Sequence, residues 1–186
     1  MSEFSESYHF PNSDLDTLYE RLKAGGMRGR LYGPSMNRWV SFVPYEGACP
    51  GHQFLAGPAA KFGGSLSMLA GKPVLEYIYA EGHMWFACLW ENGEVAAHYS
   101  CDWEDGEPKI ESRNAERLRQ LPIQDRMAVA DGLAPKLDTE SLGEEEPRAY
   151  LFAEGLGLPV YKWTSAQYLA ADARAGEQRN DGGIEI

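Results

Sequence analysis

Glu76, His98 and Ser100 are the residues whose types and spacing most invite a chemical reading. They lie in residues 73–102, PVLEYIYAEGHMWFACLWENGEVAAHYSCD, which reads as three antiparallel strands joined by two tight turns. Asn92-Gly93 is a strong hairpin signal, because both central residues of a type I′ turn need positive φ and these two tolerate it best. Glu81-Gly82 is a weaker signal of the same kind. With two-residue turns at both places, Trp90 faces Val95 and Cys88 faces Ala97, while Tyr77 faces Phe86 and Leu75 faces Cys88. Glu76, Ala87 and His98 then share one row. Adjacent strands are about 4.8 Å apart, so the carboxylate and imidazole backbones stand roughly 10 Å apart, within partial reach of long side chains. Such a pair does acid–base work. Ser100 and Trp85 would line the same pocket, and the other face (Leu75, Tyr77, Tyr79, Met84, Phe86, Cys88, Trp90, Val95, Ala97, Tyr99 and Cys101) would be the core.

Cys49-Pro-Gly-His52 and His98-Tyr-Ser-Cys101 have the spacing of a two-cysteine, two-histidine zinc set. The strand assignment opposes it, since His98 and Cys101 are three apart and point to opposite faces. Cys49 and His52 remain as a weak metal or thiol–base pair with no third group to orient them. The three cysteines, an odd and sparse count, suit reduced thiols. Phe62-Gly63-Gly64-Ser65-Leu66 lacks the lysine of a phosphate loop, and neither a dinucleotide fingerprint nor a nucleophile elbow is present. No cofactor is expected.

Charge gives the remaining lead. The chain of 186 residues carries 28 acidic and 17 basic side chains, a net charge of −11. Residues 1–99 account for −3 and residues 100–186 for −8. An acidic field repels phosphate backbones and attracts basic proteins, so a basic, toxin- or nuclease-like partner is expected and nucleic acid is not. Trp103 sits among Asp102, Glu104, Asp105 and Glu107, an aromatic anchor ringed by carboxylates. Glu144, Glu145 and Glu146 form a second acidic run. These residues point to a non-enzymatic, inhibitor- or immunity-type protein. The alternative is a small-molecule-binding protein or enzyme built on Glu76 and His98. With no apolar run of spanning length and no basic-then-apolar leader, a cytoplasmic location without membrane contact is expected.

The elements that must position these groups follow from periodicity. Ser13 reads as a helix cap, with Leu15, Leu18, Tyr19 and Leu22 at helical spacing and Gly25-Gly26 as the stop. Residues 27–32 and 38–44 read as strands. A helix from Pro58 to Gly71 precedes the meander. Residues 112–131 look helical with a break at Pro122, and 132–147 form a polar linker. Residues 148–157 read as a helix, 158–163 as extended, and Thr164 or Ser165 as the cap of a last helix. The order α-β-β-α-β-β-β followed by helices predicts an α+β domain over residues 1–175. Its sheet of about five strands comes from 1–110, and the helices of 111–175 pack on that sheet to bury Tyr150, Phe152, Tyr161, Trp163 and Tyr168. Residues 176–186 read as a disordered tail.

Overall fold

The computed structural model describes residues 3–35, 38–45, 62–81, 83–102, 109–121, 148–175 and 182–186. Along the chain come β1 (Phe4–Phe10), α1 (Leu15–Ala24), β2 (Gly29–Tyr32), β3 (Val40–Pro44), α2 (Phe62–Ala70), β4 (Val74–Ala80), β5 (Met84–Glu91), β6 (Glu94–Asp102), β7 (Lys109–Arg113), α3 (Ala115–Arg119), α4 (Arg148–Leu156), α5 (Ala166–Ala175) and β8 (Ile184–Glu185). The strands form one antiparallel sheet in the order β7-β6-β5-β4-β1-β3-β2-β8. The α+β class is as expected, but among the described residues the sheet has eight strands and not five. β1, β7 and β8 are the additions. Residues 112–113, expected to be helical, close β7, and Ile184–Glu185 of the expected tail pair with β2. No helix among the described residues is long and apolar enough to cross a membrane.

Both faces of the sheet are covered. Leu18 and Leu22 of α1 and Phe62 and Leu66 of α2 pack with Tyr8, Phe10, Val74, Phe86, Cys88 and Trp90. On the opposite face, Leu118 of α3 and Ala149, Phe152, Ala153 and Leu156 of α4 pack with Leu75, Tyr77, Trp85, Leu89 and Tyr99. Leu169 of α5 extends this second cover over Tyr32 and Val43. The result is three layers, helix, sheet and helix, each face closed by the apolar stripes of its helices.

Helix starts and stops follow local chemistry with small displacements. α1 is capped by Asp14, one residue beyond Ser13, whose carboxylate accepts from the Thr17 N–H at 2.9 Å. Gly26 takes φ of 72° just past its end. α2 lies so close to the sheet that a Cβ on Gly63 would sit 2.3 Å from Trp90 Nε1, and one on Gly64 would sit 2.7 Å from the Gly93 carbonyl.

The meander departs from the expected register twice. The link between β4 and β5 leaves three residues between the paired Ala80 and Met84, so Tyr79 faces Trp85 and Tyr77 faces Ala87. The Asn92-Gly93 turn forms as expected, with φ of 51° and 85°, and Trp90 faces Val95. A bulge then adds Ala96 to β6, so Leu89 faces Ala97 and Cys88 faces His98. Each slip is one residue, and together they leave β4 and β6 in phase while turning β5 over. Trp85, Ala87 and Leu89 join the face of Tyr77 and Tyr99. Phe86, Cys88 and Trp90 join the face of Glu76 and His98.

Ala at Gly93 is expected to destabilise the protein by about 1–2 kcal/mol, because φ of 85° suits only glycine. Urea unfolding would show this as a lower midpoint at constant m-value.

Candidate functional site

The corrected register decides where Glu76 goes. Its neighbour across β5 is Cys88, not Ala87, and Cys88 in turn faces His98. Glu76 is fully buried, and its carboxylate accepts from Trp90 Nε1 at 2.7 Å and from the Tyr8 hydroxyl at 3.4 Å. The same hydroxyl donates to buried Glu6 at 2.7 Å. Two carboxylates therefore share one phenol beneath α2. Burial, and then the Glu76 charge, push the Cys88 thiol up, so it stays protonated and unreactive. Trp85, expected beside Glu76, packs on the opposite face against Tyr99 at 4.7 Å and Phe152 at 5.5 Å. Ser100 stays on the Glu76 side, opposite Phe86 and Glu111. Glu76, His98 and Ser100 thus share a face, but the carboxylate has its donors already and faces no solvent.

The opposite face carries a second polar row that sequence reasoning missed. Ser5, Ser7 and His9 of β1, and Glu3 just before it, are buried, with Ser5 bonded to Glu3 and Ser7 to His9. Ser7 Oγ lies 2.9 Å from His9 Nε2, and Ser41 Oγ lies 2.6 Å from His9 Nδ1. One ring nitrogen donates and the other accepts. Desolvation holds His9 down to about 3, so it is neutral. A hydroxyl bonded to an imidazole resembles a nucleophile with its base. Here all three residues are fully buried, so no substrate atom reaches them and the relay is structural. Beside it, the Tyr77 hydroxyl and the Trp39 indole N–H have no hydrogen-bond partner among the described residues.

The outer end of that row reaches the surface. Glu3 Oε1 accepts from Ser5 Oγ at 2.6 Å and from the Trp163 N–H at 2.7 Å, and Glu3 Oε2 accepts from the Tyr150 hydroxyl. Along β1, β3 pairs with Tyr8, His9 and Phe10, and the turn at 163–164 docks on the earlier part of β1. There the Glu6 N–H donates to the Thr164 carbonyl at 2.7 Å, and the Thr164 N–H donates to Ser5 Oγ at 3.2 Å.

A groove of about 430 Å³ opens elsewhere, among Pro11, Lys72, Leu89, Glu91 and Arg117. None of the site residues expected from sequence lines it. Arg117 is committed there to Glu91, at 2.7 Å to both carboxylate oxygens, and Lys72 donates to the Asn12 carbonyl.

No family model, curated protein or solved structure matches this chain.

Of the expected partner-binding residues, Asp102 ends β6 and is exposed. Trp103, Glu104, Asp105, Glu107 and Glu144–Glu146 lie outside the described residues, as do Cys49 and His52. Cys101 is buried in the second core and His98 lies on the first face, so those two do not converge. Among the described residues, no group of three or more His, Cys, Asp or Glu side chains is arranged to hold a metal ion.

The charge is unevenly distributed. Thirteen of the 28 acidic residues, but only four of the 17 basic ones, fall in 46–61, 103–108, 122–147 and 176–181. Residues 103–108 join β6 to β7, and residues 122–147 join α3 to α4. β7 is the terminal strand, and all five of its residues are exposed, with Ile110 at 44%.

Proposed function

We propose that this protein binds a basic protein without acting as a catalyst, in the manner of an inhibitor or immunity-type protein that neutralises a toxin- or nuclease-like target. The observation that carries the reading is the concentration of acidic side chains in residues 103–108 and 122–147, which hold ten of the 28 acidic residues and two of the 17 basic ones. In sequence, Asp102 precedes Trp103 and Glu104, Asp105 and Glu107 follow it, and Glu144–Glu146 lie near the end of the second segment. Carboxylates around an aromatic anchor speed the encounter with a basic surface, and the anchor then slows dissociation. The buried state of Glu76, Cys88 and the Ser7–His9–Ser41 relay supports the same reading, because the groups best suited to catalysis are enclosed.

The test uses the full chain as bait. A basic protein retained at low salt is identified, purified and titrated against variants by calorimetry. Trp103→Ala should weaken its binding at least tenfold, the cost of about 1.4 kcal/mol at a hot spot. Lysine at both Glu104 and Glu107 should slow association and reduce its salt dependence. Equal affinity in all three proteins would sink the reading.

A further inference from the structure

We infer that the groove at one end of β1, β4 and β5 binds a small organic anion, a carboxylate carried on an apolar body. This site is independent of the basic-partner reading and goes beyond it.

The walls follow from the sheet order. β1, β4 and β5 are neighbours, and antiparallel pairing brings the ends of β1 and β5 to the side from which β4 starts. Asn12 leaves β1 there, Lys72 and Pro73 lead into β4, and Leu89 and Glu91 finish β5. Arg117 of α3, and Leu121 just after it, supply the remaining wall. Asn114, at the start of α3, donates to the Ala96 carbonyl of β6 at 3.0 Å, which ties that wall to the sheet. Leu89 and Leu121 belong to the second core, so the apolar lining is held by packing. The volume of about 430 Å³ falls in the range of about 300–1,000 Å³ that small-molecule sites occupy.

The sign of the ligand follows from the donors. Among the described lining residues, Lys72 and Arg117 are cations and Glu91 is the carboxylate. Glu91 places both oxygens on Arg117 Nη2, each at 2.7 Å. The guanidinium has five N–H donors in a fork, and those on Nη1 and Nε have no partner among the described residues. Lys72 Nζ donates to the Asn12 carbonyl at 2.8 Å, and an ammonium has three donors. Asp14 lies within the field of Lys72, but its carboxylate is taken up as the cap of α1. The existing bonds position both cations. Asn12 presents its carbonyl from a turn with φ of 47°, and Glu91 holds Arg117 by two bonds. Few polar groups over an apolar lining are what orients a small ligand. The open donors are all cationic, so a carboxylate gains charge-assisted bonds while Leu89, Leu121 and Pro73 take its apolar body. In a chain of net charge −11, this groove runs against the general field.

The test is an amide NMR titration of the full chain with hexanoate. Hexan-1-ol serves as the uncharged counterpart, and inorganic phosphate as the anion without an apolar body. The expected result is a saturable shift at the Lys72, Leu89, Glu91 and Gln120 amides, with hexanoate at least about fivefold tighter than either comparison ligand. Lys72→Gln and Arg117→Gln should each weaken hexanoate at least about threefold and leave hexan-1-ol unchanged, because the bonds they remove are exposed and contribute little to folding. Hexanoate no tighter than hexan-1-ol would overturn the charge selection, and phosphate as tight as hexanoate would overturn the apolar body. Absence of shifts at these amides, or unaltered hexanoate affinity in both variants, would overturn the site. The wild-type comparison decides the matter whether or not a variant folds.

Discussion

Stability to urea should fall by roughly 1.4 kcal/mol for each pH unit below 6.5, and replacing His9 with Asn should remove that part of the slope. His9 titrates at about 3 in the folded protein against 6.5 when exposed. Between those values the unfolded chain holds one proton more than the folded one. Stability therefore rises with pH, is complete above 6.5, and is lost as the pH falls toward 3. The whole effect is on the order of 5 kcal/mol, a large share of a typical domain's stability. Full burial removes the solvent screening that would shrink it. Carboxylates add their own acid sensitivity, which the variant retains, so the difference between the two curves isolates His9. Parallel curves for wild type and His9→Asn would show that the imidazole is not held neutral by burial.

Alanine at Gly63 should be more damaging than any comparable helix substitution. In an open helix the change is favourable by about 1 kcal/mol. Here the new methyl would lie 2.3 Å from Trp90 Nε1. Trp90 would have to move, and its N–H would leave the Glu76 carboxylate. Overpacking costs about 1–3 kcal/mol, and an unsatisfied buried acceptor costs about as much again. A net loss of roughly 3 kcal/mol or more is expected, read as a lower urea midpoint. Ser65→Ala, two residues further on and half-buried, is the control and should change stability little. If Gly63→Ala proves as mild as the control, α2 does not press on Trp90 as described.

The legible parts of the fold were those with local chemistry. Asn92-Gly93 announced its turn through its φ requirement, and α1 through its apolar spacing and glycine stop. β5 was misread for a specific reason. Its two faces, Trp85-Ala87-Leu89 and Phe86-Cys88-Trp90, are equally apolar, so hydrophobicity could not choose between registers. A bulge and a three-residue link chose instead, and neither has a strong signature in sequence. β1 does alternate, with Tyr8 and Phe10 on one face and Ser5, Ser7 and His9 on the other. It escaped notice because its polar face is buried, satisfied by Ser41, Thr164 and its own neighbours. The candidate sites were affected in the same way. Glu76 and His98 do share a face, yet Trp85 belongs to the other. Trp163 was read as core because aromatic residues favour burial, and only the Glu3 bond, made across nearly the whole sequence, shows why it stays outside.

The position of β1 has a kinetic consequence. It is the seam of the sheet: β4 through β7 lie on one side and β3, β2 and β8 on the other. Its two partners come from residues 74–80 and 40–44, so neither edge is satisfied by anything nearby in sequence. During synthesis β1 emerges before both and waits, polar face and all, until the chain has passed residue 80. Closing such loops delays non-local pairing, and sheets that depend on it fold slowly. The two half-sheets can assemble early as hairpins and meanders, but they become one structure only when β1 enters between them. That entry brings His9 to Ser41 and Tyr8 to Glu76, and Glu3 meets Trp163 only once residue 163 has followed.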